Sequence, residues 1–158
     1  MIVIIAVSLL LIRISRSKEK KMENTDIVRI RAHHGMCIAY FEGKGYSDGF
    51  VRHMMLVKQR MQDNPRIRVI CSADEVCRLC PNNRDGVCET AGLTEGYDTA
   101  VMRLCGLPDG AETEWEEFAG LVKERILEKG RRKEICGGCQ WNDICERKDG
   151  EFTVDGKI

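Results

Sequence analysis

Six of the nine cysteines fall in two short polar stretches, CRLCPNNRDGVC from Cys77 to Cys88 and CGGCQWNDIC from Cys136 to Cys145. Each opens with C-x-x-C and adds a third cysteine across a short loop: Cys77, Cys80 and Cys88 in the first, Cys136, Cys139 and Cys145 in the second. In a C-x-x-C turn the two sulfurs can point to one centre while backbone N–H groups turn toward them. Those donors stabilise thiolate charge, which zinc and iron both require. Gly137-Gly138 eases the second turn, since neither residue has a Cβ to clash. Three thiolates are one short of the four that a closed zinc site or a cubane cluster uses. The segment HHGMC offers the missing ligands: Cys37, with His33 and His34 four and three residues before it, within reach on a helix. Two zinc centres, each of three cysteines and one histidine, are one arrangement. Cys37 joined to one triad gives instead an all-thiolate set for an iron–sulfur cluster.

Other uses of cysteine fit less well. Disulfide frameworks belong to secreted chains and pair evenly, and nine is odd. A redox C-x-x-C opens a helix after a strand, and neither pair clearly does so. Cys105, on an apolar helix face, and Cys71, at a strand end, read as core thiols. His53 reads as an ordinary boundary residue. Arg131-Arg132-Lys133 follows a helix end, where cations complement the dipole, and needs no further role.

The elements that must position these residues are short. DIVRIR (26–31) and PRIRVIC (65–71) alternate as strands. Between them lie a helical stretch from His33 to Phe41 and a second one, capped by Ser47, with Phe50, Met54, Val57 and Met61 as its stripe. Strand, helices, strand permits parallel pairing through a helical crossover. Further on, Tyr97, Val101, Leu104 and Cys105 share a helix face closed by Gly106. TEWE (113–116) has the form of a capping box for a helix carrying Trp115, Phe118, Val122 and Ile126. The expected fold is a small, mostly helical α+β domain with a two-stranded sheet and cysteine-rich metal-binding loops.

The chain has 158 residues, enough for one domain, with 25 basic and 25 acidic residues. The apolar run MIVIIAVSLLLI would span about 18 Å as a helix, against a bilayer core of about 30 Å, so no stable membrane span is expected. Basic residues after it would hold the remainder in the cytoplasm. Lys18-Glu19 can be encoded as a ribosome-binding sequence just before Met22. Residues 1–21 are therefore expected to be a leader outside the domain, with the domain at 22–146 and a polar tail at 147–158. Without the leader the balance is acidic, which disfavours nucleic acid as a partner.

RIRAHHGMC, GKGYSDGFV, CRLCPNNRDGVC and ICGGCQW, in that order, resemble the bacterial and archaeal family catalogued as domain of unknown function 1284. The resemblance runs from about Ile27 to Cys145. It implies iron–sulfur binding, with His33, His34, Cys37 and both cysteine triads as the matching positions. Gly35-Met36 stands where a leucine pair is expected, and Gln140 where proline is expected. The functional expectation is a cytoplasmic iron–sulfur protein of electron transfer, cluster handling or redox sensing, working with a redox or protein partner. Zinc-binding structural or interaction protein is the alternative, and a metal-dependent enzyme using the His33-His34 pair is a third reading.

Overall fold

The computed structural model describes residues 27–152, so the leader segment lies outside the described residues. Strand β1 (Val28–Arg31) buries Val28 and Ile30 and exposes Arg29, as period-two alternation requires. Helices α1 (His34–Tyr40) and α2 (Asp48–Met61) form the crossover to β2 (Arg66–Ile70). β2 runs parallel to β1, with Val28 beside Ile67 and Ile30 beside Val69. The Ser47 side chain caps α2 by accepting from the Phe50 N–H at 3.1 Å. The inner face of α2 carries Phe50, Met54, Val57 and Met61, and also His53. His53 is thus not a boundary residue: it is buried, and its Nε2 lies 2.7 Å from the Glu75 carbonyl.

After β2 a 3-10 turn (Val76–Leu79) leads to a two-stranded hairpin, β3 (Asn83–Arg84) and β4 (Val87–Cys88). Asp85 and Gly86 both have positive φ, 50° and 90°, the geometry of a tight type I′ turn. Helix α3 (Ala91–Cys105) ends at Gly106 in the left-handed region. Strand β5 (Ala111–Glu114) then pairs antiparallel with β2, so the expected two-stranded sheet has three strands in the order β1-β2-β5. The expected capping box is absent, because Thr113 is drawn into β5 opposite Ile67. Helix α4 (Trp115–Val122) starts on partners from a distant loop instead. The Trp115 N–H donates to the Pro65 carbonyl at 3.0 Å and the Glu116 N–H to Asn64 Oδ1 at 2.8 Å. A single π-turn (Lys123–Leu127) extends α4, and two short helices, α5 (Arg132–Cys136) and α6 (Asn142–Lys148), and a 3-10 turn (Asp149–Glu151) complete the described chain.

The core packs α1, α2, α3 and α4 against the sheet around Ile30, Ile67, Val69, Val101, Phe118 and Ile126. Each such side chain contributes on the order of 1.5–3 kcal/mol by leaving water. Gly35 sets how closely α1 approaches α4: a Cβ there would lie 2.6 Å from Phe118 Cε1. The residues expected to begin a polar tail pack back on the domain as far as Phe152. Asp149 accepts from Tyr40 Oη at 2.7 Å, and the Phe152 and Tyr40 rings are 4.9 Å apart. Among the described residues no helix is long and apolar enough to cross a membrane.

Candidate metal centre

Helix α1 carries Cys37 to one wall of a cavity of about 130 Å³. The opposite wall is the α5–α6 corner, which brings Cys136, Cys139 and Cys145. A single water needs only about 10–15 Å³, so the cavity has room for a multi-atom group. The four sulfurs feel one another's charge. Burial pushes the Cys37 thiol well up, and Cys136, Cys139 and Cys145 push it the same way. Cys136 is raised to about 11, by burial first, against the opposing pull of Arg132. Holding four thiolates together therefore requires a cation, and metal binding would release their protons.

Both C-x-x-C segments close as hydrogen-bonded turns. The Cys139 N–H donates to the Cys136 carbonyl at 3.0 Å, and the Cys80 N–H to the Cys77 carbonyl at 3.0 Å. The Trp141 N–H turns toward Cys139 Sγ at 3.5 Å, and the Asn82 and Asn83 backbones do the same for Cys80. Arg132 is not a simple helix-end cation. It is 2% exposed, pairs with Asp149 at 2.7 Å, and brings Nη1 to 4.0 Å from Cys136 Sγ. Tyr97 lines the same cavity, and its buried Oη has no hydrogen-bond partner among the described residues. Burial raises its phenol above the usual range, and the nearby Cys139, Cys136 and Cys37 act in the same direction.

His33 and His34 also line the cavity, each held from behind by a buried carboxylate. His33 Nδ1 lies 2.7 Å from Asp98 Oδ1, and His34 Nδ1 lies 2.7 Å from Asp74 Oδ2. Asp98 is also gripped by Arg31, with Nε at 2.8 Å and Nη2 at 2.6 Å. Burial, with the neighbouring His34 and against the pull of Asp98, brings His33 down to about 4, so its ring is neutral at pH 7. Burial works to raise Asp74. The His34 ring and the Arg31 and Cys77 N–H groups outweigh it and hold the carboxyl near 2.

The first cysteine triad is distributed differently. Cys77 is buried, its N–H bonded to Asp74 Oδ1 at 3.0 Å, and its Sγ lies within 4.8 Å of both the His34 and the Asp74 ligand atoms. Its thiol is raised to about 12 by burial and by Asp74. The β3–β4 hairpin returns Cys88 toward Cys80, close enough for their charges to interact. Cys88 Sγ sits 3.4 Å from Thr90 Oγ1 at the start of α3. Cys105 is buried in the core, and Cys71 is half-buried with its Sγ 3.4 Å from Met102 Sδ. All nine cysteines are free thiols.

Asp74, Asp98, Arg31 and Tyr97 were not among the sequence candidates for the site. Asp98 could have been found, since it falls in register with Val101, Met102 and Cys105 on the buried face of α3, where a lone carboxylate requires a partner. Asp74 carries a weaker signal, three residues before Cys77 at the entry to a turn.

No curated protein and no solved structure matches the chain. The family described as "Protein of unknown function (DUF1284)" matches residues 45–145, well over half of the chain, including both cysteine triads, Tyr97 and Asp98; His33, His34 and Cys37 precede the matched stretch. The chain belongs to this family.

Proposed function

We propose that this chain holds an iron–sulfur cluster on Cys37, Cys136, Cys139 and Cys145 and serves in electron transfer or redox sensing. One observation carries the reading: four cysteines from two distant segments line one cavity, beside a buried Tyr97 hydroxyl that lacks an acceptor. The donor set fits the group, since four thiolates are the usual ligands of a cubane cluster. Zinc could use the same four thiolates, and the family resemblance favours iron–sulfur over it. When bound the cluster supplies one-electron chemistry. The chain's own part is to exclude water with Met36, Phe50 and Met54, to donate from Tyr97 Oη, and to set Arg132 beside Cys136.

The test is anaerobic purification of the full chain. A brown protein with iron and acid-labile sulfide is expected, and Cys37→Ser should lose the cluster or make it labile. Stoichiometric zinc without iron, from cells supplied with iron, would favour the structural zinc reading. The enzyme reading rests on His33, oriented by Asp98 at the cavity wall. An enzyme needs an open iron position, and four thiolates close the set. Azide is therefore expected to leave the cluster's absorption unchanged, and a spectral change would favour the enzyme.

A further inference from the structure

Two buried carboxylates and one guanidinium lie behind the histidines. The side chains of Asp74 and Asp98 are fully buried, and Arg31 is the guanidinium beside them. Arg31 spends both of its short contacts on Asp98. Asp74 accepts from the Arg31 backbone N–H at 2.7 Å and the Cys77 N–H at 3.0 Å, lies 2.7 Å from the His34 ring, and also meets the Cys77 thiol. A buried carboxylate requires a cation or a dense set of donors.

We propose that His34, Asp74 and Cys77 hold a divalent transition-metal ion, at a site separate from the four-cysteine set. Their ligand atoms lie within 4.8 Å of one another, and all three residues are largely buried. An imidazole, a carboxylate and a thiolate form a mixed donor set that suits zinc or ferrous iron and does not suit magnesium or calcium. The charges close: a doubly charged ion and Arg31 balance Asp74, Asp98 and the Cys77 thiolate. The protons balance as well: Cys77 releases its proton to solvent as the sulfur–metal bond forms, and any proton on the ligating ring nitrogen of His34 leaves with it. The support around the ligands is in place, since the Asp74 carboxylate is fixed by two backbone N–H groups. Three protein ligands are the number found where a fourth position stays open to water or a substrate atom.

Cobalt(II) tests the site, because thiolate ligation gives it a charge-transfer band. The full chain is stripped of metal, reloaded anaerobically with Co²⁺ and titrated, alongside Cys77→Ser and Cys145→Ser. The expected result is that Cys77→Ser binds one equivalent fewer than wild type and loses the corresponding part of the band, whereas Cys145→Ser keeps that equivalent. Equal cobalt binding by wild type and Cys77→Ser overturns the proposal. So does a Cys77-dependent equivalent that also vanishes in Cys145→Ser, which would mean one shared centre. Where circular dichroism shows that Cys77→Ser does not fold, His34→Gln is read in its place by the same criteria. The cluster reading fails separately: a wild type without iron that still shows the Cys77-dependent equivalent leaves this site standing.

Discussion

Arg132 is a guanidinium with almost no access to water, and what keeps it there is Asp149. The pair meets through Nε at 2.8 Å and Nη2 at 2.7 Å, while Nη1 reaches Asn142 Oδ1 at 3.0 Å. Asp149→Ala leaves that charge without its counter-ion, and a loss of about 3 kcal/mol is expected. It would appear as a lower urea midpoint with an unchanged slope. A loss below about 0.5 kcal/mol, typical of a surface change, would mean that Arg132 finds other partners. The sequence did not disclose this role, because RRK after a helix end has the composition of a solvated surface and Asp149 lies beyond both C-x-x-C turns. Cys105 was legible as a core thiol: its place in the Tyr97–Val101 stripe of α3 already implied burial. The same stripe understated Asp98, because apolar periodicity weighs hydrophobic residues and passes over a carboxylate in register with them.

At the scale of elements, the Cys136–Cys139 turn depends on one of its two glycines. A Cβ at Gly137 would lie 2.5 Å from the Lys133 carbonyl oxygen, a backbone atom that cannot swing aside. A Cβ at Gly138 would meet nothing within 4 Å. Gly137→Ala is therefore expected to cost about 1–3 kcal/mol through overpacking and to lower iron content, while Gly138→Ala leaves both within error. Equal behaviour of the two variants, by thermal melting and iron assay, would contradict the geometry of this turn. From sequence both glycines are merely permissive, because a missing Cβ says what is allowed and only the neighbouring backbone says what is required. Strands β1 and β2 were legible from alternation, and their parallel pairing followed from the helices between them. β5 was hidden because AETE has no large apolar residue. It is an edge strand held by the β2 ladder and by Arg68–Glu112 pairing across it.

Across the whole molecule the core and the cysteine-rich corner are held by different forces. The sheet, α2 and α4 share a continuous apolar core, whereas α6 buries no residue and α5 buries only Arg132. The corner is joined to α1 by Tyr40–Asp149, Tyr40–Phe152 and the Arg147–Glu42 and Lys148–Glu42 ion pairs, mostly at the rim. Exposed ion pairs contribute little. A metal bridging Cys37 to Cys136, Cys139 and Cys145 would therefore be the strongest link across this seam. That Cys136, Cys139 and Cys145 fall in one corner is legible because they are contiguous in sequence, whereas Cys77 turns to His34 and Asp74 and away from the rest of its own triad. Which α1 residue faces that corner is not legible, since it depends on the packing of α1 against segments at the far end of the chain. Loss of metal should consequently act locally. Amide hydrogen exchange after chelation is expected to accelerate across 132–152 and near Cys37, while β1, β2 and α2 keep their protection. An equal rise in β2 would mean that the metal stabilises the whole fold and not one seam. Unchanged exchange across 136–145 would remove the reason for placing a metal at that corner.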